Sequence, residues 1–356
     1  MNDALLRGSA FLTIFSGCFF GAAVGTTASA QEFDISLPTN ADRWMYPFNV
    51  TPGVRPGGSV FGYLPYPEET SFDNRDAQII IAFDTADLIS AGAGAGNYAI
   101  DSLVVEITLS GQLSSPIDET VDEWQTYLPA TAKEWEPDED AGRPIELFAA
   151  GFRYEYNRMN WVETTPFSDQ GPFGTNHRSV YSAGIAEDGA LFEVSSNFND
   201  GYTAEPISVA SFPGYGIGEV APEGAVATFD IDLSAPETLG WIGESLDEGR
   251  IIFVVTSLVG ASQGDNILTQ FYLRENPLVT AGVRSAANVR IVGRIEEGCD
   301  IAADLDGNCE VSGGDLGLML ASWGPCPAPC PADLNGDGLV NGADIGLLLA
   351  AWGSGG

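Results

Sequence analysis

Two twelve-residue segments near the C-terminus place oxygen-bearing residues at the same intervals. In the first, Asp304, Asp306, Asn308, Glu310, Ser312 and Asp315 occupy positions 1, 3, 5, 7, 9 and 12. In the second, those positions hold Asp333, Asn335, Asp337, Leu339, Asn341 and Asp344. A hard divalent cation such as Ca2+ takes six to eight oxygens, and a loop of this length delivers them at these positions, position 7 through its main-chain carbonyl. Glu310 and Leu339 are therefore expected to offer backbone oxygens and the others side chains. Gly338 falls at position 6, where the turn favours positive φ, whereas Cys309 stands there in the first segment. Taken singly, either segment could be an acidic turn without a metal. In tandem they predict two Ca2+ sites.

The two segments belong to one internal repeat. Asp304–Gly324 and Asp333–Gly353 are identical at 12 of 21 positions, at an offset of 29 residues. Each loop is followed by an apolar stretch: Leu316, Leu318, Met319, Leu320 and Trp323, then Ile345, Leu347, Leu348, Leu349 and Trp352. Each predicts a helix of about three turns. Neither helix buries its apolar surface alone, so the two are expected to pack together. Cys299, Cys309, Cys326 and Cys330 lie in the same 58 residues. Their even number points to two disulfides, with three connectivities open. A zinc site is the rival reading, weakened by the lack of histidine in this region.

With the pattern D-x-N-G-D-G-x-V-N-x-x-D at Asp333–Asp344, the two loop–helix halves resemble a type I dockerin. The flanking cysteines and the endings Ala-Ser-Trp-Gly and Ala-Ala-Trp-Gly resemble more closely the GC-type dockerin-like anchors of exported bacterial proteins. The resemblance covers Cys299 to Gly353. It implies calcium-dependent folding and docking to a cohesin-like or other surface receptor, often in polysaccharide-degrading assemblies. The chain departs from that pattern at positions 10 and 11, where Gly313, Gly314, Gly342 and Ala343 replace Ser/Thr-type side chains. Position 12 is Asp in both halves, and the basic pair usual on the dockerin helix is absent.

The elements upstream read differently. Arg7, the apolar run Phe11–Val24 and Ala28-Ser29-Ala30 predict an export signal over residues 1–30, with the mature chain starting at Gln31. A lipidated Cys18 is the lesser alternative. Residues 31–298 predict one β-rich domain, since short β-branched and aromatic runs alternate with Gly, Pro, Asp and Asn. The best strands are 78–83, 102–109, 146–154, 225–233, 251–258 and 288–292; 179–183, 191–194 and 207–212 are weaker. The expected fold is mainly β: a large jelly-roll-like sandwich of eight to ten strands, followed over residues 299–356 by a small α-helical calcium-binding domain. Asp118–Asp140 reads as an acidic loop. The stretch Asp76–Leu109 also resembles part of the DNRLRE-type jelly rolls, which implies a polysaccharide-binding or structural sandwich.

Composition narrows the function classes. Fifty acidic residues against 14 basic ones give a net charge of −36, which excludes phosphate-dominated nucleic-acid binding. No segment after the leader is apolar enough to span a membrane. His177 is the sole histidine, and no nucleophile motif accompanies it, which disfavours Ser–His or Cys–His chemistry. Glu155, Glu163 and Glu193 carry no spacing that marks a glycosidase pair. Trp44, Tyr46, Tyr63, Tyr66, Trp124, Trp135 and Trp161 are candidates for stacking on sugars. The function expected is a secreted, non-catalytic β-sandwich, with polysaccharide as a candidate ligand, held at a surface through its C-terminal module. The alternative is a polysaccharide-degrading enzyme delivered by the same module.

Overall fold

The computed structural model describes residues 31–47, 49, 51–67, 72–168, 178–261, 268–296, 301–307, 311–327 and 330–353. Expectations for the leader, Cys18, His177, Cys299, Asn308, Cys309 and Glu310 fall outside the described residues.

The chain is mainly β. One antiparallel sheet takes the order β1 (Gln31–Pro38), β13 (Asn288–Ile295), β5 (Tyr98–Thr108), β10 (Val226–Asp230). A second runs β2 (Ala41–Met45), β4 (Gln78–Asp84), β11 (Arg250–Thr256), β6 (Glu146–Phe152), β7 (Val180–Ile185), β8 (Leu191–Glu193), with β9 (Ser208–Val209) beside β6. Strands β3 (Gly57–Val60) and β12 (Thr269–Tyr272) form a separate pair. The two large sheets share one core. Leu103, Val105, Ile107, Phe229, Val289 and Ile291 of the first meet Ile79, Ile81, Phe83, Leu147, Ile251 and Phe253 of the second. Side chains alternate across a strand, so β10 buries Ala227 and Phe229 and leaves Asp230 in water, as its alternating sequence predicts.

The second sheet is covered on both faces. Ile80, Ala82, Ile252 and Val254 point away from the shared core and pack with Trp161 and Phe167. That explains why QIIIAF and IIFVV read as unbroken apolar runs instead of alternating ones. It also corrects Trp161 as a sugar-stacking candidate, because its side chain is fully buried. Trp44 lies on β2, stacks on Tyr46 with ring centroids 4.7 Å apart, and donates its indole N–H to the Ser59 carbonyl. Helix α1 (Asn197–Asp200) is a single turn. Helix α2 (Pro236–Glu248) was not expected from the sequence. Pro236 opens it, Gly249 closes it at φ +83°, and Trp241, Ile242 and Leu246 enter the main core. Helix α3 (Pro277–Thr280) follows β12.

Among the described residues, thirteen strands, more than the eight to ten expected, lie within residues 31–296. Beyond them lie helices α4 (Gly313–Ala321) and α5 (Gly342–Ala350), with the short pair β14 (Gly324–Pro325) and β15 (Leu339–Val340). None of the helices among the described residues is long and apolar enough to cross a membrane.

The scarce cations are spent inside. Arg43, Arg75 and Arg178 are among the largest fully buried side chains. Arg178 Nε donates to Asp73 Oδ2 at 2.7 Å and Nη2 to the Asp76 carbonyl at 3.2 Å. Asp76 Oδ1 is buried without a donor among the described residues. Burial pushes the Asp76 carboxyl up, Arg178 pulls it down, Asp73 pushes it up again, and it settles at about 6. A carboxyl raised in the folded state contributes stability that is present below its unfolded value and lost as pH rises through the folded one. The loss here is on the order of 3 kcal/mol between about pH 4 and pH 6. Asp76→Asn is expected to remove that slope. Urea midpoints at acid and neutral pH check this, and an unchanged slope in the variant would assign it to other groups.

Candidate metal centre

The C-terminal loops are built outward from their last residue. Ser312 and Asn341 cap α4 and α5, accepting the backbone N–H of Gly314 at 3.4 Å and of Ala343 at 2.8 Å. Three residues into each helix region, Asp315 and Asp344 reach back to the cap, taking the N–H of Ser312 at 2.7 Å and of Asn341 at 2.9 Å. These are reciprocal capping boxes. The other oxygen of each carboxylate braces the start of its own loop. Asp315 Oδ1 accepts from Leu305 at 2.6 Å and Asp306 at 3.1 Å; Asp344 Oδ1 accepts from Asn335 at 3.2 Å. Position 12 thus ties the first turn of the loop to the first turn of the helix.

Both braces are solvent-inaccessible. At Asp315 burial pushes the carboxyl up, but the main-chain donors of Ser312, Asp306 and Leu305 outweigh it and the net shift is downward. At Asp344 the Asn341 N–H leads and the net shift is also downward. A depressed carboxyl contributes stability that is present above its unfolded value and is lost as pH falls through the folded one. The loops therefore weaken in acid.

Position 1 bonds alike in both halves: Asp304 Oδ1 accepts the Gly307 N–H at 2.9 Å, as Asp333 Oδ1 accepts that of Gly336. In the first loop Asp304, Asp306 and Asp315 each place one oxygen within 4.8 Å of the others. In the second, Asp333 accepts from Gly336 at 2.9 Å, Asp337 at 3.1 Å and Gly338 at 2.7 Å. Asn335 Oδ1 takes the N–H of Asp337 at 2.9 Å, and Asp337 Oδ1 that of Leu339 at 2.9 Å. An ionised carboxylate has about four acceptor sites, so these bonds orient the oxygens and still leave lone pairs for a cation. Gly338 has φ +85°, the conformation expected at position 6. The Leu339 carbonyl accepts the Asn341 amide at 3.3 Å. The structure brings Asp304, Asp306 and Asp315 together, draws Asp333, Asn335, Asp337 and Asp344 into one bonded turn, and uses Ser312 and Asn341 as helix caps. The donor set is all oxygen, which fits a hard cation such as Ca2+ and not a thiophilic one.

The halves close on each other reciprocally. Gly324, after α4, pairs with Val340 at the exit of the second loop. The Gly353 N–H, after α5, donates to the Val311 carbonyl at the exit of the first, at 2.9 Å. Each contact is the 29-residue image of the other. Val311, Met319, Val340 and Leu348 form the buried centre, with Ala303 and Ala332. Cys326 and Cys330 are disulfide-bonded. The helix packing expected from sequence takes in only part of the apolar stripe. Leu318, Leu320 and Trp323, and their counterparts Leu347, Leu349 and Trp352, stay between 45 and 54 % exposed.

Two other carboxylate groupings occur among the described residues. Asp118, Asp122 and Asp140 meet within the acidic loop, and Asp42, Glu163 and Glu275 meet in the β-rich domain. The second grouping carried no sequence signal. Of the acids considered for glycosidic chemistry, Glu193 pairs with Arg153 and Glu163 with Arg274. No protein-family model matches the chain, and no curated protein is significantly similar to it.

Proposed function

We propose that the C-terminal repeat is a calcium-stabilised docking module of the dockerin-like kind, which holds an exported, jelly-roll-like β-sandwich on a cohesin-like surface receptor. The observation that supports this most is the duplicated exposed set Leu318, Leu320 and Trp323 with Leu347, Leu349 and Trp352. A single exposed leucine needs no explanation, but three large apolar side chains repeated at equivalent positions on a small module suit a partner surface. The loops aim the helices, calcium fixes the loops, and the helices present the apolar set. The reciprocal closure gives two near-equivalent faces, so either helix can meet the partner. For the β-rich domain the ligand proposed is polysaccharide, with Tyr63, Tyr66 and Trp135 as the exposed stacking residues.

The test is surface plasmon resonance of the mature chain over immobilised cohesin-type domains. Binding is expected in calcium and should vanish in chelator. Leu318→Ser with Leu320→Ser should leave binding largely intact through the second face, as should Leu347→Ser with Leu349→Ser. The fourfold variant should bind at least a hundredfold more weakly while keeping its circular dichroism. Equal binding by the fourfold variant, or none by the intact protein, would remove the docking reading.

A further inference from the structure

Three acidic side chains from distant parts of the β-rich domain converge at one place. Asp42 stands on β2, Glu163 in the segment after β6, and Glu275 just beyond β12. One carboxylate oxygen of each lies within 4.8 Å of the others. In an acidic chain, carboxylates crowd together by composition when they share a loop, as Asp118, Asp122 and Asp140 do. Composition does not explain this second grouping. Asp42 and Glu163 are 121 residues apart, and Glu163 and Arg274, the neighbour of Glu275, are 111 apart.

Asp42 gives the grouping its direction. The residue is 1 % exposed. Its Oδ2 accepts the Arg274 backbone N–H at 3.0 Å, while Oδ1 is buried with no donor among the described residues. Buried polar atoms are almost always satisfied, so a bare carboxylate oxygen on a residue grouped with two further carboxylates calls for a missing partner. The protein supplies only part of the compensation. The Arg274 guanidinium binds Glu163 Oε1, which also accepts the Asp42 N–H at 3.1 Å. One positive charge against three negative ones leaves two. The donors are all oxygens, with no imidazole or thiolate in the group, and carboxylates completed by water are what a hard divalent cation accepts.

We propose that Asp42, Glu163 and Glu275 bind a divalent cation of the calcium class, and that the ion ties β2 to the segment after β6 and to the exit of β12. The other way to discharge the group is a proton held on Asp42, and the two are separable because asparagine imitates a protonated aspartate but cannot neutralise a cation. The experiment uses the full mature chain carrying Asp304→Ala and Asp333→Ala, which silences the C-terminal loops and so keeps this test apart from the docking reading. Isothermal titration with calcium chloride should find one ion per chain, and calcium should raise the melting temperature of the β-rich domain. Both effects should be lost in Asp42→Asn and at least tenfold weakened in Glu275→Gln; if the first variant fails to fold, the second decides. No ion uptake up to roughly 10 mM calcium, well above the range of extracellular calcium modules, would overturn the proposal. So would calcium uptake that survives both substitutions.

Discussion

Chelating calcium is expected to unfold the C-terminal repeat while the β-rich domain stays folded. The reason is the balance of forces in the last 58 residues. Among the described residues their core has six buried apolar side chains, two of them alanines, which is thin for a module of this size. From Cys299 onward there are eight acidic residues and no lysine, arginine or histidine, so no internal cation relieves the repulsion among the loop carboxylates. A bound ion does both tasks. At about a hundred times its Kd, one calcium adds about 2.7 kcal/mol of stability, and two add about 5 kcal/mol. That is comparable with the entire stability of a small domain. Hydrogen exchange checks it directly: amide protection at Met319 and Leu348 should be high in calcium and lost in chelator, while Phe83 and Phe253 stay protected in both. Asp344→Ala should mimic chelation in the second half, since it deletes a proposed ligand, half of the capping box and the loop brace together. Acid should act likewise, because the depressed carboxyls of Asp315 and Asp344 give up their backbone donors once protonated. Protection that persists in chelator at neutral pH would mean the bonded turns are sufficient without metal.

These loops were legible in the sequence because everything they need is local. Twelve consecutive residues carry the oxygen-bearing side chains, the turn and the helix cap, and the repeat supplies a second reading of the same pattern. The strands of the shared core were legible for a similar reason, since Val, Ile and Phe in runs of five to seven bear on local backbone preference. The failures are non-local. Strand β2 reads ADRWM, and its two charged residues argued against a buried strand. Asp42 and Arg43 are nevertheless buried, held by groups more than a hundred residues away, with Asp42 Oδ1 and Arg43 Nε left without a partner among the described residues. Strand β3 (GGSV) has little intrinsic preference and is held by β12 (TQFY), whose Thr, Phe and Tyr favour strands over only four residues. Helix α2 did carry signals, Pro236 at its start and Gly249 at its end. Its apolar positions are few enough to be lost among the surrounding strand-like segments. The Asp42–Glu163–Glu275 grouping shows the same limit: no spacing rule joins three acids that only the tertiary fold brings together.

The buried pair Arg75–Glu146 is the place where a single substitution should cost the β-rich domain most. Arg75 Nη2 bonds both oxygens of Glu146, at 2.6 and 2.8 Å, and Nη1 donates to Asn197. The side chains are 1 and 4 % exposed, and the guanidinium lies 4.9 Å from the Phe148 ring centroid. Together they join the segment before β4, the first residue of β6 and helix α1. One nitrogen serves both carboxylate oxygens, so the contact is charge-assisted without the two-nitrogen fork. Even so, the net gain over a well-packed apolar pair is small, because both ions are desolvated. Breaking the pair is another matter. Arg75→Met leaves a buried carboxylate alone, and Glu146→Gln leaves a buried guanidinium alone; each should cost about 3–5 kcal/mol, or roughly 10 °C in Tm for a domain of this size. Burial already pushes the Glu146 carboxyl up, and the Arg75 charge is the main force pulling it down. In Arg75→Met the acid should therefore hold its proton at higher pH, and the variant should lose further stability as pH rises. The double variant Arg75→Met with Glu146→Leu should recover most of the loss, since no charge is left unpaired. Urea denaturation of the unsubstituted protein and the three variants gives the comparison. Single substitutions costing under about 1 kcal/mol would place the pair in the class of hydrated surface bridges, whereas a double variant no better than the singles would assign the cost to lost packing against Phe148 and not to charge.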